Sequence, residues 1–520
     1  MWMSISGSNS RAGRIQTRGT VPMNHTANSD PQLMRLGAIC AVLAVVLAAC
    51  AVGPDFKRPA PPDAQRYTTA RLEPATIAAD GATQRFNTDL NLQANWWRLF
   101  QSPELDATVE QAFTHSPTLQ AAENSLRESQ DNLRAGYGLY FPHLDASATA
   151  MRERTAPLQT GLQTPGSVFN LATLSGAISY SLDVFGAARR TVEGLRAQAA
   201  DQSYALDAAY LTLSANVVNA TIARAAYKAE LVAVRQIIEL EKQELSATEA
   251  QVRGGTEPYS SVLTLRSMIA SNEAALAPLQ QSQDRTGNLL ADLEGVVPER
   301  ASLPDIDLAA LTLPQELPLS LPSDLVRQRP DILSAEAQLH AASADIGVAT
   351  AAMFPSFTLN GGYGVATRNF GTQSAASGRF WSIGPSATVP LFQGGSLWYR
   401  RRAAIDAFQR SQDNYRQTVL GAFEQVADTL NALEHDAEYL QAQSDAQRAA
   451  GEALELLQAN FRAGLAASVD VLVADVQFQQ SRLGFLQALA QRYQDTVALY
   501  VALGGGWWQD AARREQRPAP

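Results

Sequence analysis

Lysine is scarce in this chain of 520 residues: Lys57, Lys228 and Lys242 are the only ones. With a net charge of −10, the chain lacks the clustered positive field on which nucleic-acid binding rests, so no nucleic acid is expected as a partner. Only two cysteines occur, Cys40 and Cys50, both in or beside one short apolar run, which excludes a disulfide framework and a thiolate metal site. His25, His115, His143, His340 and His435 occur singly, without metal-ligand spacing. The glycine cluster Gly361-Gly362-Tyr363-Gly364 is followed by no Lys-Ser/Thr pair, so it is no phosphate loop. Neither an enzyme nor a metal or organic cofactor is expected. Aromatics are also few, at 7% against 46% apolar residues. A balance carried by Ala, Leu and Val with Gln suits long helices better than a bulky core.

What is present begins with the apolar run Leu36 to Leu47, which follows Met34-Arg35 and exits through Leu47-Ala48-Ala49-Cys50. A spanning helix needs about 20 apolar residues, so this shorter run with its small-residue exit reads as a bacterial lipoprotein signal. Cleavage before Cys50 would leave its thiol for diacylation, making a covalent lipid the only added group, and Ala51 is compatible with delivery to the outer membrane. The alternative is an uncleaved anchor with an incidental cysteine. Residues 1–49 are set aside as extension and signal, and residues 50–94 form a tether. The tether opens with the Pro-dense segment Gly53 to Pro62, suited to extended chain rather than helix.

Sliding the sequence against itself reveals an internal duplication. At an offset of 213, Pro117, Ala122, Glu123, Leu126, Phe141 and Pro142 fall on Pro330, Ala335, Glu336, Leu339, Phe354 and Pro355. At 207, Leu182-Asp183-Val184-Phe185 meets Val389-Pro390-Leu391-Phe392, and at 209, Arg253-Gly254-Gly255 meets Arg462-Ala463-Gly464. The predicted layout is therefore a first repeat over residues 95–302, a Pro- and Leu-rich linker over 303–322, a second repeat over 323–505 and a polar tail over 506–520.

Each repeat opens with a helix of roughly six turns, Pro117 to Leu139 and Pro330 to Met353, with proline where its missing N–H costs nothing. Phe-Pro ends both. Strict alternation follows: Ala172, Leu174, Gly176, Ile178, Tyr180, Leu182 and Val184 oppose Thr173, Ser175, Ala177, Ser179, Ser181 and Asp183. Phe357 to Val365 alternates likewise, and Leu144 to Met151 and Trp381 to Phe392 do so more weakly. These are strands with one apolar and one polar face. A membrane strand needs about 9–11 residues, and four strands cannot close a barrel around water, so several chains would have to contribute. Trp381, Phe380 and Tyr363 are placed for the aromatic girdle of such a barrel.

Long helices supply the rest. No proline interrupts Gly186 to Val252, where Leu206, Tyr210, Leu213, Val217, Ala220, Tyr227, Leu231, Val234 and Ile238 recur at three/four spacing. Gly394 to Ala463 repeats the seam with Val419, Phe423, Val426, Leu430, Leu433, Ala437 and Leu440. Such a seam implies coiled-coil packing. Gly254, Gly255 and Gly464 stand where each helix must stop and turn back, returning through Tyr259 to Asp292 and Ser468 to Leu503. Trp96 and Trp97 read as a packing anchor rather than a ligand stack.

Three stretches resemble the outer membrane factors of tripartite efflux systems, in the lipoprotein branch called NodT or OprM-like, related to TolC. They are Asn95-Trp96-Trp97-Arg98-Leu99-Phe100 through Leu105; Arg329-Pro330-Asp331-Ile332 through Asp345-Ile346-Gly347 and Phe354-Pro355; and Cys50-Ala51-Val52-Gly53-Pro54-Asp55-Phe56-Lys57-Arg58-Pro59. The resemblance implies an α+β membrane protein: a homotrimer with a twelve-stranded outer-membrane β-barrel and a periplasmic α-barrel, lipid-anchored and docked to an adaptor (membrane fusion) protein and an inner-membrane pump, RND-type by this resemblance. Its function would be passive conduction of exported substrates. The family closes its periplasmic end with inward-pointing residues near the second turn-back, here Arg462, Val469, Asp470 and Asp475. This chain departs from the usual pattern at Val473-Ala474-Asp475, so the gate acid is either Asp475 or Asp470. Asp470 also fits a helix N-terminal acid, and Arg462 a helix C-terminal cation. The competing reading is a lipid-anchored periplasmic coiled-coil spacer or adhesin without a pore.

Overall fold

The computed structural model describes residues 51–69, 72–154, 168–367 and 378–509. Cys50 and the signal lie outside the described residues, as do the connections 155–167 and 368–377. After a short strand β1 (Arg85–Asn87), the chain runs through α1 (Pro103–His115), α2 (Pro117–Gly136), β2 (His143–Arg154), β3 (Val168–Leu182), α3 (Ala187–Arg253) and α4 (Tyr259–Leu293). The second half carries β4 (Glu316–Pro318), α5 (Pro322–Gln328), α6 (Pro330–Ala351), β5 (Ser356–Thr367), β6 (Arg379–Thr388), α7 (Ser396–Arg462) and α8 (Ser468–Ala502). The order helix, two strands, 67-residue helix, 35-residue helix thus occurs twice. Each long helix reaches about 100 Å.

Local chemistry sets these boundaries. Proline occupies the first turn of α1, α2, α5 and α6, and the Ser102 hydroxyl accepts the Leu105 N–H at 3.3 Å to cap α1. The α-helical part of α2 ends at Gly136, and its expected last residues form a 3₁₀ turn, Tyr137–Tyr140, before Phe141-Pro142.

The principal helix contacts run in two rows that share α3 and α7. One row is α2, α3, α6, α7, next to the strands; the other is α4, α3, α8, α7, toward the turns. Seam residues Leu213, Val217, Ala220, Leu231, Val234 and Ile238 are buried, as are Val419, Val426, Leu430, Leu433, Ala437 and Leu440. Beyond the strand-proximal helices sits the largest core, where Trp96 stacks on Tyr500 with ring centroids 5.5 Å apart and Trp97 meets Phe113 edge-on at 5.4 Å. The Trp pair is a packing anchor. Arg329 explains the Arg-Pro-Asp signature: it grips Asp331 with two nitrogens (2.7 and 3.0 Å), the Gln425 side chain at 2.9 Å and the Ala502 carbonyl at 2.7 Å. One side chain thereby ties the start of α6 to α7 and to the end of α8.

The four long strands form one antiparallel sheet in the order β2-β3-β5-β6. Its register merges the separate alternations into single faces. Leu144, Ile178, Gly361 and Ile383 lie in one cross-strand row and Ala146, Gly176, Tyr363 and Trp381 in the next, all on the apolar face. The other face carries Ser, Thr, Asn and Gly, with Ser147 and Ser175 hydroxyls 2.8 Å apart and Thr358 and Ser386 hydroxyls 2.6 Å apart. No described helix packs on either face as a principal contact, and Leu144 and Trp381 stand 79% and 74% exposed.

Four expectations change. β6 stops at Thr388, opposite Ser356 where its partner β5 begins, so Val389 to Phe392 leave the sheet. Phe380 does not share a face with Tyr363 and Trp381; it crosses to the polar face, where a Cβ on Gly364 would meet its ring at 2.4 Å. The linker is not a free connection, since β4 pairs in parallel with β1 and buries Leu317, while Leu308 and Leu311 join the core. The packed body also extends past residue 505: Trp507 is buried and donates its indole N–H to the Gln328 carbonyl at 2.8 Å.

Candidate functional site at the hairpin turns

Both turn-backs close with the same hydrogen bonds. In the first, the N–H groups of Gly254, Gly255 and Thr256 donate to the carbonyls of Ala250, Val252 and Gln251; in the second, those of Ala463, Gly464 and Leu465 donate to Ala459, Phe461 and Asn460. These bonds satisfy carbonyls orphaned at a helix end, and they need one residue in the left-handed region. Gly255 (φ 72°) and Gly464 (φ 76°) are those residues. Gly254 is helical at φ −77°, so its place is filled by Ala463 in the second turn without strain.

The four gate candidates fall in different surroundings. Asp470 is exposed in the first turn of α8, where its Oδ2 accepts the Ala467 N–H at 3.2 Å, as expected for an acid capping a helix N-terminus. Arg462 is exposed at the last turn of α7, donating from Nε to the Gln458 carbonyl at 3.2 Å. Val469 is exposed beside Asp470. Asp475, only 4% exposed, points instead into the contact between α8 and α3.

There it joins two acids that sequence reasoning missed. Glu241 is fully buried; its Oε1 accepts from Asn272 of α4 at 2.8 Å, while its Oε2 has no hydrogen-bond partner among the described residues. Glu244 accepts from the Ser468 hydroxyl at 3.3 Å, and Ser468 and Thr248 hydroxyls are 3.4 Å apart. A cavity of about 190 Å³ beside them is lined by Leu240, Glu244, Phe461, Ser468, Val471 and Asp475, among others. Burial is the main cause raising all three carboxyls above the usual range, and Glu244 is pushed up to about 7, with Asp475 and Glu241 adding repulsion. The nearby cations are engaged elsewhere: Lys242 with Glu273, Arg266 with Glu249, and Arg482 with Gln236. A signal did exist in the sequence, because the three/four run Leu231, Val234, Ile238 continues onto Glu241, Leu245 and Thr248. Polar side chains there occupy seam positions.

At the opposite end of α3 the start of the described chain is clamped. Val52 donates its N–H to the Phe185 carbonyl at 3.1 Å, and Arg190 pairs with Asp55 at 2.7 Å and with Glu193 at 2.7 Å. Phe56 stacks on His340 at 4.3 Å, and Arg58 pairs with Glu336 at 2.7 Å. A Cβ on Gly53 would lie 2.5 Å from the Gly347 Cα, so glycine permits this close approach. Ala51, the residue after Cys50, therefore rests against Gly186, where the sheet meets α3.

Comparison with known proteins agrees with this architecture. The outer membrane efflux protein family matches residues 108–296 and 321–505. The chain is 26% identical over 483 residues to the toluene efflux pump outer membrane protein TtgC of Pseudomonas putida, covering 92% of this chain and 97% of that one. It is 28% identical over 426 residues to the pyoverdine export outer membrane protein OpmQ of Pseudomonas aeruginosa, covering 80% and 88%. Among solved structures, the outer-membrane channel OprN superposes with a TM-score of 0.78 at 28% identity, covering 88% of this chain and all of that one.

Proposed function

Because this chain belongs to the outer membrane efflux protein family and is the outer-membrane channel component of an efflux system, we propose that three copies close into one duct, a twelve-stranded barrel continued by a helical tunnel. The observation that carries this reading is the sheet. Among the described residues it has one apolar and one polar face, no helix as a principal contact on either, and β2 and β6 as its edges; such a sheet cannot be stable alone in lipid, where every edge N–H and C=O needs a partner. Twelve strands leave room for water. Strands of 12, 15, 12 and 10 residues are long enough to span. The two rows of helices end in free flanks in the same way, and the repeated element order supports descent of both halves from one unit.

The duct is passive. Its substrates are expelled by an inner-membrane pump, which we take to be of the RND type, through a periplasmic adaptor. The clamp on residues 52–58 supports lipidation of Cys50, because it holds Ala51, the next residue in the sequence, at the junction of sheet and helices, level with the inner membrane–water boundary of a barrel. Of the gate candidates, Asp470, Val469 and Arg462 have the exposure a lumen residue needs. Asp475 is held in the α3–α8 contact and would act by setting how tightly the two hairpins close.

Single-channel conductance in planar bilayers tests this reading. The purified protein is expected to conduct in small steps that grow when Asp470 is replaced by Ala; a protein that never conducts returns the reading to a pore-free spacer. If Asp470→Ala and Asp475→Ala, singly and together, leave conductance unchanged, neither residue closes the pore.

A further inference from the structure

From Ile346 to Ile405 the chain holds no Asp, Glu or Lys but five arginines, Arg368, Arg379, Arg400, Arg401 and Arg402. In a chain of net charge −10 such a stretch fits an anionic partner. Its densest part, Arg400-Arg401-Arg402, lies in the first two turns of α7, just past the end of the sheet.

The matching start of the first repeat is balanced within the chain. α3 and α7 are both 67 residues long and both follow a glycine in the left-handed region, Gly186 (φ 83°) and Gly395 (φ 82°), so their residues match at an offset of 209. Arg189 pairs with Asp183 at 3.2 Å, and Arg190 pairs with Asp55 and with Glu193 at 2.7 Å each. In α7 the position of Glu193 is taken by Arg402. Among the described residues none of Arg400, Arg401 and Arg402 pairs with a carboxylate: Arg401 donates from Nε to the Thr350 hydroxyl of α6 at 3.2 Å, and the other two are exposed.

The helix sorts these side chains by face. At about 100° per residue, Trp398 stands one turn from Arg401 and Arg402 and is neighbour to both, while Arg400 is turned to the far side. Tyr399 stands where α3 has Arg190, whose stem lies against Gly347 of α6, so it belongs to the flank that a next copy covers in the proposed duct. Trp398 and Arg402 stand instead where α3 has Arg189 and Glu193, on the face that begins at Gly186. Ala51 rests against Gly186. A lipid on Cys50 would therefore enter the membrane beside that face of α3, and Trp398 with Arg402 present the same face of α7 at the same height.

Polarity along this stretch changes in the order of a membrane boundary. Leu391 and Phe392, just past the sheet, are 91% and 88% exposed, Trp398 follows at 55%, and the arginines come one turn later. Acyl chains, then the interface that favours Trp, then charged headgroups are met in that order on leaving a bilayer. Side chains on a helix lean toward its N-terminal end, so both guanidinium groups reach back toward the sheet while their stems lie along apolar surface.

We infer that Trp398, Arg401 and Arg402 form a headgroup site for an anionic phospholipid of the inner leaflet of the outer membrane, with the two guanidinium groups on its phosphate and the indole at the acyl boundary. The inference rests on the reading of the sheet as part of a membrane barrel, and goes beyond it by naming a lipid class and the residues that hold it. Two guanidinium forks on one phosphate make charge-assisted hydrogen bonds whose geometry an ammonium group does not reproduce.

Native mass spectrometry of the detergent-solubilised protein, titrated with dioleoylphosphatidylglycerol, tests the site. The unsubstituted protein should retain this lipid in preference to dioleoylphosphatidylcholine, and Arg401→Gln/Arg402→Gln should bind it about tenfold more weakly. Arg401→Lys/Arg402→Lys should fall between the two, because the charge stays and the forks are lost. Arg410→Gln/Arg416→Gln, which removes the same charge further along α7, should leave retention unchanged. Equal retention by the unsubstituted protein and Arg401→Gln/Arg402→Gln, or equal loss in both Gln variants, overturns the site. Displacement of the lipid by inorganic phosphate overturns the lipid assignment in favour of a free-anion site. A change in the assembly's mass in Arg401→Gln/Arg402→Gln would assign these side chains to a contact between copies and overturn the site as well. Conductance separates this inference from the reading beneath it: a protein that conducts without lipid preference loses the headgroup site alone, whereas one that never conducts and stays out of vesicles loses the barrel too.

Discussion

At the scale of single residues, charge without counter-charge is the informative feature. Glu241, Glu244 and Asp475 meet where the two hairpins touch, with hydroxyls and amides as neighbours. Burial raises all three carboxyls; Asp475 adds repulsion at Glu241 and at Glu244, and Glu241 adds more at Glu244. A carboxyl whose folded pKa lies above its unfolded value stabilises the fold most below the unfolded value and loses that contribution as pH rises through the folded one. For Glu244 the window runs from about 4.5 to about 7. Thermal melts at pH 5 and pH 8 should therefore show the wild type losing more stability at the higher pH than Glu244→Gln does. Equal losses in the two proteins would remove Glu244 from the account. Of the three, Glu241 was legible as a polar intruder in a seam and Asp475 as a gate candidate, while Glu244 gave no signal; that they converge required α8 to be laid against α3.

At the scale of elements, the sheet carries the clearest consequence. Ile178 sits on the apolar face and Ser179 beside it on the polar one. An Arg at a lipid-facing midplane position costs about 2–4 kcal/mol, while lumen positions tolerate charge. Ile178→Arg should therefore lower the denaturant midpoint of the vesicle-inserted protein markedly, and Ser179→Arg should shift it little. A reversed order would mean that the polar face meets the lipid. The alternation behind this prediction was readable because each strand is half apolar, and the long helices were readable because they lack proline and keep a three/four seam. The chain's smaller elements were not. Nothing in the Pro- and Leu-rich stretch 303–322 signals that Glu316–Pro318 pairs with Arg85–Asn87, since that pairing joins segments over 200 residues apart. Gly506-Trp507-Trp508 reads as the start of a polar tail until Gln328 supplies a carbonyl for the Trp507 indole.

At the scale of the whole molecule, the described chain is an open wall of helices continued by an open sheet, fastened near its start by Arg190, His340 and Glu336. Cys50 precedes that clamp directly. Replacing Cys50 by Ser should abolish labelling by radioactive palmitate and reduce the amount recovered in outer-membrane fractions. The clamp should still let assembled protein form. Palmitate retained by Cys50→Ser would place the lipid elsewhere or remove it from the account.

The kinds and lengths of the main elements were legible in the chain, because periodicity, proline placement and turn glycines are local properties. Its two halves also carry matching Phe-Pro junctions and Arg-x-Gly turns. Which faces meet was settled by packing. Cross-strand register put Tyr363 and Trp381 together and sent Phe380 to the other face, and helix packing drew Asp475 away from Asp470 into a contact with Glu241 and Glu244. The first outcome depends on how β5 and β6 pair, and the second on residues more than 200 positions apart, so no local pattern encodes the balance of burial and repulsion that settles it.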